Sequence, residues 1–161
     1  ADQNELLPRK DKISAGDTII GLPSTGVHSN GFSLARKLVP ENDPTLWKTL
    51  LTPTKIYVKE VGLLLKTGHI TAAAHITGGG IRGKLKRVIP PQLEPNLNHK
   101  WPVPDIFSRL QNLGSITEEE MFKVFNMGIG IALVVKKAHM NELLETAQAN
   151  NIPALVIGEL T

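Results

Sequence analysis

The chain has 161 residues, 41% of them hydrophobic, 20% charged and 4% aromatic, with a formal net charge of +3 and no cysteine. This is ordinary soluble globular composition, long enough for one domain with a genuine core or two very small ones, and one is the simpler expectation. It excludes disulfide staples and thiolate metal sites and fits a reducing, cytoplasmic setting. It lacks the run of about 20 apolar residues that a membrane span needs, and offers no basic-aromatic face for nucleic acid.

Residues 1–15 are polar and charged and read as a linker or the end of an upstream half, without the n-region or h-region of a secretory signal. The domain proper is expected over 16–161. Gly16-Asp17 is a turn into the β-branched, apolar stretch 18–22, a buried strand. Next comes Pro23-Ser24-Thr25-Gly26-Val27-His28-Ser29-Asn30-Gly31, dense in hydroxyl, amide and imidazole groups. Ser24, Thr25, Ser29 and Asn30 suit caps and turns, and a lone histidine is usually hydrogen-bonded scenery. With Val27 as the sole large apolar anchor, however, the stretch carries more polar chemistry than one cap requires, which favours a functional loop.

A helix follows over 32–39, stopped by Pro40. Pro40, Pro44 and Pro53 punctuate the next stretch, leaving room for a short helix over 46–51. Residues 55–66 read as a helix with Ile56, Val61, Leu64 and Leu65 inward, ended by Gly68.

An apolar strand then leads through His75 and Thr77 into Gly78-Gly79-Gly80. Glycines accept positive φ and let a ligand approach the backbone. A helix N-terminus adds free N–H groups and a partial positive charge, which together suit phosphate. Ile81, Leu85 and Val88 form an apolar stripe behind them, and Arg82, Lys84, Lys86 and Arg87 make that helix basic. Two readings stay open here: a tight turn before a solvated basic helix, or a phosphate site. A nucleotide P-loop is disfavoured, because Leu85 stands where Ser or Thr would meet Mg²⁺ and Gly83 would fall in the helix's second turn.

Pro90-Pro91 ends that helix, and 92–104 read as an irregular, proline-punctuated connection. A helix is expected over 104–113, and a second begins at a capping box with Thr117 at N-cap and Glu120 at N3. Asn126-Met127-Gly128-Ile129-Gly130 is a third small-residue turn, feeding the strand 131–135. An amphipathic helix over 137–149, with Met140, Leu143, Leu144 and Ala147 on one side, and a strand over 154–160 complete the chain. Strands alternating with helices give the class α/β or α+β, a mixed sheet flanked by helices.

The histidines, His28, His69, His75, His99 and His139, show no i, i+4 pairing and no carboxylate at ligand spacing, so no zinc site is expected. No G-x-S-x-G elbow occurs. No aspartate follows a strand inside a polar loop, where Mg²⁺ ligands for a nucleotide would stand. The chain offers anion cradles without the acids that handle metal-bound ATP.

Four stretches now combine: GDTIIGLPSTGVHSNGFSLARKL from Gly16, LTPTKIY from Leu51, AHITGGG from Ala74 with RVIP from Arg87, and FNMGIG from Phe125. In this order they resemble phosphoribosylformylglycinamidine cyclo-ligase, also called AIR synthetase, over nearly all residues from Leu7 onward. The resemblance is to the C-terminal half alone. It implies an N-terminal half that supplies a homodimer interface and the acidic residues for ATP and Mg²⁺, with nucleotide between the halves. It also implies a place in de novo purine synthesis, as a single-function enzyme or inside a multifunctional polypeptide, and an isolated fragment that is inactive.

The site residues implied are Gly78, Gly79, Gly80 and Thr77 with the basic helix for a phosphate, and Ser24, Thr25, Gly26, His28, Ser29, Asn30 and Gly31 for substrate hydroxyls or amides. Asn126 and Gly128 belong near the same cleft, and His28 and His75 are the proton carriers. Gly83-Lys84 departs from an expected acidic-amide pair, Lys86 stands where proline is frequent, and residues 40–50 are short and distinctive. Two rivals remain: a ligand-binding module that never catalyses, and a sister enzyme of the same ATP-dependent superfamily.

Overall fold

The structure is a computed structural model that describes residues 6–161. At its centre is a five-stranded sheet in the order β2-β4-β1-β5-β3. The strands are β1 Thr18–Pro23, β2 Ile70–His75, β3 Pro95–Leu97, β4 Ile129–Val135 and β5 Leu155–Leu160. The expectation of a sheet with helices against it holds, as an α+β fold, but the pairing is not mixed: each pair of neighbours is antiparallel. Helix-bearing crossovers return the chain in the same direction. Here β4 is inserted between the co-directional β1 and β2, and β1 between β4 and β5. The result is a pair of interleaved split βαβ units in which no two co-directional strands touch.

The helices are α1 Phe32–Leu38, α2 Pro44–Leu50, α3 Val58–Leu65, α4 Gly80–Val88, α5 Asp105–Gly114, α6 Glu118–Val124 and α7 Met140–Ala149. Their starts follow local chemistry. The Asp43 carboxylate accepts the Leu46 N–H at 2.8 Å ahead of Pro44, and Thr117 Oγ1 accepts the Glu120 N–H at 3.3 Å, so orphan first-turn donors are satisfied. The helix expected from residue 55 starts later, at Val58. That shifts its phase: Ile56, expected inward, is 82% exposed, and the buried residue is Tyr57. β3 lies in the stretch read as irregular; three proline-led residues on a sheet edge are too short to show alternation.

Strand alternation divides the core. On one face Ile19, Ala72, Ala74, Ala132, Val134 and Ile157 pack against Ile81 and Leu85 of α4. On the other, Ile20, Leu22, Leu133 and Val135 pack against Leu64 of α3 and Leu143 and Ala147 of α7. A third core joins α1, α2, α5 and α6 through Ala35, Leu46, Leu50, Phe107 and Met121, and takes in Phe125 just beyond α6 and Val27 and Met127 from the bends at the sheet's end. Of the segment read as a linker, residues 6–15 are docked: the Arg9 N–H donates to Thr71 O at 2.8 Å and Ile13 is buried. Among the described residues no helix is long and apolar enough to cross a membrane.

Candidate functional site

β1, β2 and β4 are neighbours, with Pro23 paired to Ile129 and His75 to Ile131. The exits of β1 and β2 and the entry to β4 therefore share one end of the sheet, and the three glycine-bearing bends meet there. The sheet is notched at this end. Ile129 and Ile131 pack in the cores on opposite faces, although residues two apart in a regular strand share a face. The register shifts between Leu22 and Pro23, which makes Gly130 the extra residue of a bulge. A Cβ there would stand 1.9 Å from the Tyr57 hydroxyl, and that hydroxyl donates to Pro23 O at 2.8 Å.

Asn126, fully buried, joins the first bend to the third. Its Nδ2 donates to Gly26 O at 2.9 Å and Val27 O at 3.0 Å, and its Oδ1 accepts from Gly128 N at 2.9 Å and the Ser24 hydroxyl at 3.0 Å. An amide has two donors and about two acceptor positions, so none is left for a ligand. Asn126 thus stands beside the cleft as a tie. Gly31 and Gly128 serve packing as well: a Cβ on Gly31 would meet the Phe125 ring at 2.5 Å, and one on Gly128 would meet Pro104 at 2.8 Å.

His28 is buried with φ 56°. Its Nε2 receives the backbone N–H groups of Thr25 at 3.2 Å and Lys55 at 3.5 Å, which assigns the ring proton to Nδ1. Thr25 Oγ1 lies 3.1 Å from the same Nε2 and donates to Pro53 O at 2.9 Å. Burial foremost, then the positive fields of His75 and Lys55, hold the His28 pKa below its usual value, so the ring is neutral at neutral pH. Asn30 Nδ2 donates to Ile76 O at 2.9 Å, stitching the first bend to the glycine turn. Among the described residues, His28 Nδ1 and Asn30 Oδ1 are buried without a hydrogen-bond partner: one donor and one acceptor left unspent, the signature of a place that meets a ligand or water.

Around them Thr25, Ser29, His75, Gly78 and Gly79 are exposed, and Ser24 and Thr77 half-buried. Gly79 is the N-cap of α4 with φ 98°, and no side chain caps that helix. A Cβ on Gly78 or Gly79 would meet nothing within 4 Å, whereas one on Gly80 would lie 1.9 Å from Phe122 O. Gly80 therefore brings α4 close to α6, while its two predecessors leave open ground before the N–H groups of a helix start, where an anion fits. The basic face contributes less than its sequence suggests. Lys86 and Arg87 lie in the last turn, and Lys86 Nζ is spent on Pro91 O at 3.2 Å, Leu93 O at 3.1 Å and the Glu94 carboxylate.

A cavity of about 840 Å³ opens on the other flank of α4, lined among others by Gly79, Arg82, His99, Glu118 and Phe122. Of the residues the sequence assigns to a phosphate, Gly79 and the basic-helix residues Arg82 and Lys86 line it. His99 meets the Phe122 ring edge-on at 4.4 Å, a pairing no spacing could have shown because it depends on how closely α4 and α6 approach.

Residues 14–161 match the family described as AIR synthase related protein, C-terminal domain. A phosphoribosylformylglycinamidine cyclo-ligase from Carboxydothermus hydrogenoformans is 44% identical over 161 residues, covering 92% of this chain and 47% of that protein. The trifunctional purine biosynthetic protein adenosine-3 of Bos taurus is 42% identical over 173 residues, 99% of this chain and 17% of that protein. Among solved structures, E. coli HypE, a hydrogenase maturation protein, has a TM-score of 0.64 at 14% identity, covering 96% of this chain and 46% of that one; the likeness is one of fold. The chain thus spans about half the length of the cyclo-ligase it matches. On the family match over 14–161, the chain belongs to the AIR synthase related protein C-terminal domain family.

Proposed function

We propose that the chain is the C-terminal half of an ATP-dependent phosphoribosylformylglycinamidine cyclo-ligase of de novo purine biosynthesis. It works in the cytoplasm, in a single-function or multifunctional polypeptide, once joined to an N-terminal half through which the enzyme dimerises. The observation that carries this reading is the meeting of the three bends at one sheet end in a chain with relatives of that name.

In the proposed reaction the formyl oxygen takes the γ-phosphoryl group of ATP and ADP leaves. The amidine nitrogen then attacks the activated carbon, inorganic phosphate departs, and the imidazole ring closes. The start of α4, with Gly78, Gly79 and Thr77, holds an anionic phosphate or phosphoryl group by N–H groups fixed in advance. Thr25, Ser29, His28 Nδ1 and Asn30 Oδ1 orient substrate hydroxyl or amide groups. His75, exposed beside neutral His28, takes the proton the amidine nitrogen sheds. Asn126, Gly26, Gly31, Gly80 and Gly128 hold the bends in place. Mg²⁺ does not fit these bends: residues 24–31, 76–80 and 126–128 contain no carboxylate, and a hard divalent ion needs oxygen ligands. Its ligands fall to the N-terminal half, and no step here is routed through it.

The test is ADP release with ATP, Mg²⁺ and phosphoribosylformylglycinamidine, measured for the chain alone and after joining it to a cyclo-ligase N-terminal half. Silence alone and turnover when joined are expected. Robust turnover by the chain alone would defeat the two-half reading. Turnover of thiamin monophosphate in place of the formylglycinamidine would defeat the substrate assignment, and phosphate binding without turnover in the joined protein would leave only a binding module.

A further inference from the structure

We infer that His69, His139 and Glu142 form a site for a divalent transition-metal ion of zinc's class, at the opposite end of the sheet from the bends. His69 immediately precedes β2, whose first residue, Ile70, pairs with Val135, the last of β4. His139 ends the short 3-10 turn after β4 and is the N-cap of α7, and Glu142 lies in the first turn of that helix. Sheet edge and helix start thus bring together two imidazoles and a carboxylate that are separate in sequence. His69 Nε2 lies 2.9 Å and His139 Nδ1 3.8 Å from the same carboxylate oxygen, and one ligand atom from each residue lies within 4.8 Å of the other two.

A plain ion pair accounts for this arrangement poorly. The two rings stack 4.0 Å apart and 9° from parallel, and two imidazolium cations that close would repel. His69 Nε2 is buried and, although 2.9 Å from the carboxylate, makes no well-directed hydrogen bond. Two histidines and one glutamate are a ligand set zinc uses with water in the fourth position. Tetrahedral ligation at 2.0–2.1 Å spaces ligand atoms by roughly 3.3 Å, so the site closes by about an ångström as the metal enters and the rings splay. His139 and Glu142, with side chains 46% and 62% exposed, supply that movement, and His69, at 18%, is the fixed ligand. Spacing along the chain does not reveal this site: His139 and Glu142 are three apart at one helix start, and His69 arrives from another element. The bound ion would clamp the start of α7 to the start of β2, independently of the cyclo-ligase reading.

The test titrates ZnCl₂ into the 161-residue chain at pH 7.5 by calorimetry, with thermal melts alongside. One equivalent should bind, Tm should rise by about 5–10 °C at 100-fold excess over Kd, and Co²⁺ should give the visible absorption of a four-coordinate site. His69→Ala and His139→Ala should each weaken binding beyond the roughly 10–100-fold that loss of an outer-shell partner costs, while His99→Ala changes nothing. Circular dichroism checks each fold, and Glu142→Gln, at an exposed position, gives the same reading should a histidine variant unfold. Absence of saturable binding, or equal binding by the His69→Ala/His139→Ala double variant, would overturn the proposal.

Discussion

At the scale of single residues, Asn126 and His28 divide the work of the first bend between holding and meeting. Asn126 spends its amide on four partners inside the protein. Asn126→Ala leaves the Gly128 N–H without its partner, while the Gly26 and Val27 carbonyls keep the Ser24 hydroxyl and the Asn30 N–H, and should cost about 1–3 kcal/mol, read as a lowered urea midpoint. His28 leaves Nδ1 unspent and is disfavoured as a cation, by burial first and then by His75 and Lys55. Its folded pKa lies below the unfolded value of about 6.5, so the unfolded chain binds the extra proton first. Stability from this group is present above that value and lost as pH falls from about 6.5 toward the folded pKa. Melts from pH 8 to 5 should show this acid-side loss, and His28→Gln should flatten it. Both residues stand out in the sequence as polar groups in a bend. Side-chain type shows that hydrogen bonds will be made, and only the fold shows whether they turn inward, as at Asn126, or stop short, as at His28.

At the scale of elements, the triple glycine is three separate devices. Gly80 has no room, with Phe122 O 1.9 Å from where its Cβ would stand and φ at +65°, whereas Gly78 faces open space with no positive φ. Gly80→Ala should therefore lose about 3 kcal/mol from steric overlap and left-handed strain. Gly78→Ala should stay within about 0.5 kcal/mol of the parent in denaturation yet weaken inorganic phosphate binding at α4. Unchanged phosphate affinity in Gly78→Ala would return the turn to a purely structural role. Most helices are legible because their apolar stripes and caps are local: the Thr117 cap marks a start that the structure reproduces, whereas the short helix expected over 46–51 begins earlier, at Pro44 behind the Asp43 cap. One departure is local and one is not. The register of 55–66 slipped because residues 52–57 are not helical, which turned Ile56 outward and Tyr57 inward. β3 was missed because its partner, β5, lies far along the chain.

At the scale of the whole molecule, strand direction could not be read, since antiparallel pairing here depends on which strand is inserted between which, and that is fixed by long-range packing. The resemblance supplied the class of site, and the fold shows that its bends converge. Beside them Leu51, Ile56 and Val58 stand 62%, 82% and 76% exposed within eight positions of chain, a cost in water unless another surface covers them. The N-terminal half is the cover we propose. Ile56→Glu should leave the melting temperature of the chain within about 2 °C of the parent while reducing ADP release by the joined enzyme; full activity with a glutamate there would place the inter-half contact elsewhere. The notch at Gly130 has a different reach. One absent methyl group admits the phenol that steadies the first bend and also sets the angle at which the third departs. Change at this position cannot tune one bend without detuning the other, so a redesign of the pocket for a bulkier ligand would vary Thr25, Ser29 or Gly78 and leave residue 130 untouched.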